Sequence, residues 1–165
     1  MRRLKRMGVA GWLATWGGSG LLPYAPGTWG SLAALPFGWL LLLTGSWPLL
    51  LAAALLIVPV GVWSAQLHAQ SVGIRDPGEI VIDEVCGQWL TLVPAGLDPV
   101  LFPLAFVVFR LLDIIKLWPA STLDRRTHGG VGIMADDFAA GVQGAIIIYL
   151  LALLLGRDGC FPTIC

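Results

Sequence analysis

Val85-Cys86-Gly87-Gln88-Trp89-Leu90-Thr91-Leu92-Val93-Pro94-Ala95-Gly96-Leu97-Asp98-Pro99-Val100-Leu101-Phe102-Pro103-Leu104-Ala105-Phe106-Val107-Val108-Phe109 is apolar at both ends and broken in the middle. The block is long enough to cross a bilayer, which takes about 20 apolar residues. Its centre, Pro94–Pro99, holds two prolines, a glycine and an aspartate, a composition that favours a turn over a continuous helix. Either the block crosses as one interrupted helix, or it enters and folds back.

The basic residues favour folding back. Arg2, Arg3, Lys5 and Arg6 cluster ahead of the first apolar run and hold the N-terminus in the cytoplasm by the positive-inside tendency. They precede a Gly/Trp/Pro segment rather than an apolar stretch with a cleavage site, so they do not read as a signal peptide. A single crossing by Val85–Phe109 would put Arg110, Lys116, Arg125 and Arg126 outside. Folding back keeps them inside, with two arms of about 15 Å each at 1.5 Å per residue. The C-terminal tail then lies outside, where Cys160 and Cys165 are able to pair.

Composition agrees with a membrane location. Of 165 residues, 57% are hydrophobic and 12% charged, and mean hydropathy is +0.82; soluble domains carry about 25% charge. Formal net charge is zero, and the short basic cluster does not make a nucleic-acid arm. Three further apolar blocks appear. Ser31–Leu43, short for a bilayer, and Trp47–Trp63 are joined by Thr44-Gly45-Ser46 as a helical hairpin, and Phe138–Leu155 reads as one full C-terminal span. The expected fold class is all-α. It is a small helical integral membrane protein of one domain, 1–165, with short or re-entrant hairpins, a basic tail at 1–11 and a C-terminal tail at 156–165.

Eight of the ten carboxylates fall in two segments beside these blocks, 76–84 and 113–137. Unpaired carboxylates beside apolar spans are costly, whereas acids converging on a divalent cation are not. Asp76-Pro77-Gly78-Glu79 matches a helix start with a capping box. Asp83 and Glu84 directly precede an apolar run and read as metal ligands or catalytic acids rather than interfacial charges. Asp136 and Asp137 stand at the mouth of the last block, where one acid would satisfy the helix dipole and two repel unless a cation lies between them. Arg110, Asp113 and Lys116 share one helix face at three-residue spacing, either as a surface ion-pair ladder or as a phosphate clamp. Replacing Asp98, in the break, by asparagine is expected to matter little for turnover. The glycine-rich run Trp16–Ser31 leads into the first helix and could seat an anion at Gly27 and Thr28, or serve as an interfacial loop anchored by tryptophans. His128 reads as a loop or substrate contact, and Cys86 as a small packed apolar residue.

Taken together, the chain resembles the phosphatidylglycerophosphatase A family of bacterial membrane proteins. The matching pieces are Gly18-Ser19-Gly20…Pro26-Gly27-Thr28…Gly30-Ser31, Ile80-Val81…Asp83-Glu84…Gly87, Phe109-Arg110…Asp113…Lys116…Trp118-Pro119, and Asp124-Arg125…Gly129-Gly130…Gly132-Ile133-Met134…Asp136-Asp137…Ala140-Gly141. They run in the family's order from about Thr15 to Gly141; Leu117 departs from the proline usual after the lysine. The resemblance implies Mg²⁺-dependent hydrolysis of the phosphomonoester of phosphatidylglycerophosphate, at the cytoplasmic face of a bacterial inner membrane. Mg²⁺ would sit on Asp83, Glu84, Asp136 and Asp137 and activate a water. Asp83, Glu84, Asp113, Lys116 and Asp137 form the catalytic set, with Asp113 a candidate base. Gly27, Thr28, Arg110, Lys116, Arg125 and His128 would hold the lipid phosphate. A small transporter or a non-catalytic anionic-lipid-binding protein are the alternatives. A transporter would place polar residues inside the spans, which hold almost none. A lipid-binding protein would need the bases without four acids.

Overall fold

The computed structural model describes residues 8–118 and 129–157. The described residues form helices and turns, with no strand among them. Helix α1 (Val9–Ala14) and a 3-10 turn (Ser19–Leu21) lead into α2 (Pro26–Val72), followed by α3 (Ile82–Leu92), α4 (Leu101–Ile115) and α5 (Gly129–Leu154).

Helical backbone runs through α2 without a gap, yet the chain must reverse within it. The indole Nε1 of Trp89 donates to Ala34 O at 3.0 Å, and the Cys86 thiol donates to Ala54 O at 3.4 Å. Cys86 and Trp89 lie within one turn of α3, whereas a straight helix would separate Ala34 from Ala54 by about 30 Å. The arms Pro26–Gly45 and Trp47–Val72 therefore fold back at Thr44-Gly45-Ser46, as the polar turn in the sequence suggests. Both arms and Gly129–Leu154 are long and apolar enough to cross a membrane. The first arm gains length because Pro26 sits at the helix start, where a missing N–H costs nothing. The last helix begins well upstream of Phe138, at Gly129.

Helix α3 is the buried centre of the bundle, with every residue from Val85 to Leu92 buried. It packs against both arms of α2 and against α5, and glycines set the spacing. A Cβ on Gly141 would lie 2.7 Å from the Gly87 Cα and carbonyl oxygen. One turn on, the Thr91 hydroxyl fills the space facing Gly144 and lies 3.2 Å from Gly141 O. Such close approach of backbones is how helices associate where no hydrophobic drive operates.

The break at Pro94–Pro99 turns the chain, and α4 returns antiparallel to α3. Asp98 has a structural role in this turn. Its Oδ1 accepts the backbone N–H groups of Val100 at 2.8 Å and Leu101 at 2.9 Å, opening α4 as an N-cap, and its Oδ2 meets the Arg157 guanidinium at 2.6 Å. That ion pair places the tip of the α3–α4 hairpin level with the end of α5.

Gly141→Ala should lower stability by about 1–3 kcal/mol, the usual cost of overpacking, because its methyl meets Gly87 backbone. Gly78→Ala, with nothing within 4 Å of the added carbon, should leave stability unchanged. Thermal unfolding of the detergent-solubilised variants measures both.

Candidate active site

The segment between α2 and α3 carries the first acids, and it is not helical where the capping pattern suggests. Gly73, left-handed at φ 73°, closes α2, and α3 begins only at Ile82, so Asp76-Pro77-Gly78-Glu79 does not start it. Long-range contacts outweigh the local pattern. Glu79 Oε1 pairs with His68 Nε2 at 2.8 Å, the Glu79 carbonyl packs against Gly20, and the Val81 N–H donates to Ala14 O at 2.9 Å. Glu79 is turned towards α2 and Asp76 is exposed, while Asp83 and Glu84 fall in the first turn of α3, where the helix dipole favours negative charge.

Asp136 and Asp137 lie two turns inside α5 rather than at its cap. Gln66, on the second arm of α2, caps that helix instead, its Oε1 accepting the Gly130 N–H at 2.7 Å. Both aspartates are buried. The α3–α5 crossing then aligns Asp137 with the first turn of α3. Carboxylate oxygens of Asp83, Glu84 and Asp137 lie within 4.8 Å of one another.

Two of those oxygens, Asp83 Oδ1 and Glu84 Oε2, are buried and have no hydrogen-bond partner among the described residues. Burial, reinforced by the charge of Glu84, pushes the Asp83 carboxyl well above the usual carboxylate range. Burial together with the nearby Asp137 pushes Glu84 up to about 8. Orphaned oxygens from several acids, with no nitrogen or sulfur among them, form a donor set suited to a hard divalent cation.

The basic residues close the opposite wall. On α4, Arg110 Nη1 contacts Asp113 Oδ2 at 2.6 Å and donates to Ser31 Oγ at 3.4 Å; that hydroxyl donates in turn to Gly27 O at 2.9 Å. Lys116 ends α4 in a left-handed conformation at φ 50°, and its Nζ contacts Asp136 Oδ2 at 2.6 Å. Asp136 thus faces a lysine and stands apart from the group of three carboxylates. Ala25, also left-handed at φ 47°, starts α2 beside the same space. Left-handed non-glycine residues are strained and persist where surrounding structure holds them. Gly27 is required sterically, because a Cβ there would occupy the place of Glu84 Oε1 and crowd Arg110.

The result is a cavity of about 660 Å³ lined by Asp76, Asp83, Glu84, Asp113, Asp136 and Asp137 together with Arg75, Arg110 and Lys116. Of the residues singled out in the sequence, it unites Gly27, the four acids, Arg110, Asp113 and Lys116. Thr28 does not line it, and its N–H already donates to Ala25 O at 2.9 Å. Arg125 and His128 lie outside the described residues, as do Cys160 and Cys165. Cys86 is buried and turned to Ala54. Sequence reasoning missed Arg75, Gln66 and Ser31, together with Gln88, which is fully buried one turn past Glu84 with both amide atoms unpartnered among the described residues. A glutamine inside an apolar helix was the available signal for Gln88.

Fold and cavity together define a small helical membrane protein with an acid-lined, cation-competent pocket among its helices. A family model described as phosphatidylglycerophosphatase A matches residues 12–152, and the chain belongs to that family. It is 43% identical over 150 residues to "Phosphatidylglycerophosphatase A" of Escherichia coli K12, covering 90% of this chain and 87% of the relative. It is 35% identical over 140 residues to the protein of the same name from Haemophilus influenzae, covering 84% and 86%. A "Putative phosphatidylinositol-3-phosphatase" of Bacteroides thetaiotaomicron is 35% identical over 152 residues, covering 84% and 91%. No solved structure matches the chain.

Gly27→Ala should displace Glu84 and Arg110 and lower kcat by about 100-fold, the scale of an ångström-sized misplacement in a site. Steady-state phosphate release measures this; an unchanged kcat would show that the Glu84 position is immaterial.

Proposed function

We propose that this chain hydrolyses the terminal phosphomonoester of phosphatidylglycerophosphate, giving phosphatidylglycerol and phosphate, with Mg²⁺ as cofactor. The observation that carries this is the convergence of Asp83, Glu84 and Asp137, with orphaned oxygens, beside Arg110 and Lys116 in one cavity. The family and the names of its Escherichia coli and Haemophilus influenzae relatives support the choice of lipid.

Mg²⁺ fits Asp83, Glu84 and Asp137, and when bound it would offset charge on the phosphate and acidify a water. The remaining work falls to the chain. Asp113 and Asp136 each hold a basic partner at 2.6 Å, which fixes the direction of the guanidinium and the ammonium. Arg110 and Lys116 line the cavity and present positive charge to the phosphate oxygens, where charge is greatest in the transition state. Asp113, held by Arg110, is a candidate to accept a proton from the attacking water. Cys86, bonded to a backbone carbonyl on α2, is not placed to attack phosphorus. Three apolar helices support a site at the headgroup plane of a membrane, and the basic residues of the N-terminal sequence support the cytoplasmic face of an inner membrane by the positive-inside tendency.

The test is phosphate release by the purified protein from phosphatidylglycerophosphate in mixed micelles, with and without Mg²⁺. Asp83→Asn and Asp137→Asn should each lower turnover by at least about 100-fold, beyond the 10- to 100-fold typical of outer-shell partners, while the unfolding temperature is kept. Near-normal activity of both variants at saturating Mg²⁺ would contradict the metal assignment. No release by the unmodified protein would favour a transporter or a lipid-binding role.

A further inference from the structure

Among the described residues three cations line the cavity, and two of them are held in ion pairs with its acids. Arg110 lies on Asp113 and Lys116 on Asp136, each at 2.6 Å. Arg75 also lines the cavity, from the exposed segment between α2 and α3, and makes no ion pair or hydrogen bond with any described residue. Its backbone is nonetheless held at both ends. Gly73 closes α2 just before it, while the Ile80 N–H donates to Pro77 O at 2.9 Å and Glu79 pairs with the buried His68 just after. The loop is anchored while the guanidinium at its tip stays free.

We infer that Arg75 is a specificity-determining residue that binds the phosphodiester of the lipid while the phosphomonoester lies over Asp83, Glu84 and Asp137. The assignment rests on the phosphatase reading above. A substrate of that reaction carries two anionic phosphorus groups one glycerol apart. The buried acids and their cation, with Arg110 and Lys116, account for the monoester at the floor. The diester then faces the exposed rim of a cavity whose described lining as a whole carries more acids than bases, a field that repels a second anion. Among the described residues Arg75 is the exposed cation of that lining, with five N–H donors in a planar fork that matches two phosphate oxygens. A lipid carrying only the monoester gains nothing from it, so Arg75 separates a two-phosphate lipid from a one-phosphate lipid.

The experiment compares the unmodified protein with Arg75→Gln and Arg75→Lys on phosphatidylglycerophosphate micelles, with phosphatidylglycerol and inorganic phosphate as competing products. Arg75→Gln should raise KM about tenfold, the scale of one charged hydrogen-bonded contact, and leave kcat within about twofold. Inhibition by phosphatidylglycerol should weaken to a similar degree and inhibition by phosphate should stay unchanged, with Arg75→Lys intermediate. Because Arg75 is exposed and unbonded, the unfolding temperature should not move. An unchanged KM, a fall confined to kcat, or equal weakening of both products would overturn the assignment while leaving the phosphatase reading intact. Absence of phosphate release by the unmodified protein would instead overturn that reading, and this one with it.

Discussion

Helix α3 brings its two acids beside Asp137 only because Gly87 lets its backbone meet Gly141. That close crossing sets the height of α3 along α5 and brings Asp83 and Glu84 level with Asp137. Three carboxylates so near one another repel, and burial removes the water that would screen them. The bundle therefore stores an electrostatic cost at one end, tolerable where a divalent cation occupies the gap. Nearly everything else in the fold supports that end. The arms of α2 enclose α3 through Ala34 and Ala54, and the Asp98–Arg157 pair fixes the far tip of the α3–α4 hairpin.

Charges in the cavity are arranged in two tiers. Arg110 with Asp113, and Lys116 with Asp136, are cation–carboxylate pairs whose net charge is small and whose main effect is orientation. Among the described residues the trio of Asp83, Glu84 and Asp137 has no such ion pair, and it is the set the proposed cation would occupy. Strain collects at the same place, with Ala25 and Lys116 both left-handed at the cavity wall. Residues held in such conformations are characteristic of sites where geometry matters more than local stability.

Much of this was legible in the sequence. Thr44-Gly45-Ser46 announced the reversal within α2, Pro94–Pro99 announced the α3–α4 turn, and three-residue spacing placed Arg110, Asp113 and Lys116 on one face. Those are local signals, read from turn chemistry and helical period. What was not legible depended on contacts between distant residues. A capping pattern at Asp76 lost to the His68–Glu79 pair and to the seat of Glu79 on Gly20, so α3 starts at Ile82. Gln66 capped α5 from another helix and carried Asp136 and Asp137 into its interior. Asp98 had the sequence of a loop acid, and its role emerges only once Arg157 folds back onto it. Among the acids, Asp136 and Asp137 are neighbours in sequence yet face different partners, because successive residues of a helix point about 100° apart.

The central claim is that Asp83, Glu84 and Asp137 jointly hold one divalent cation, and a direct measurement of metal binding tests it apart from turnover. Mn²⁺ is a paramagnetic stand-in for Mg²⁺, and its bound fraction can be titrated by electron paramagnetic resonance on the detergent-solubilised protein. The account requires a tight Mn²⁺ site on each chain that Mg²⁺ displaces and that is lost when Asp83 and Asp137 are both replaced by asparagine. Mn²⁺ binding that survives the double replacement, or no saturable binding by the unmodified protein, would contradict it.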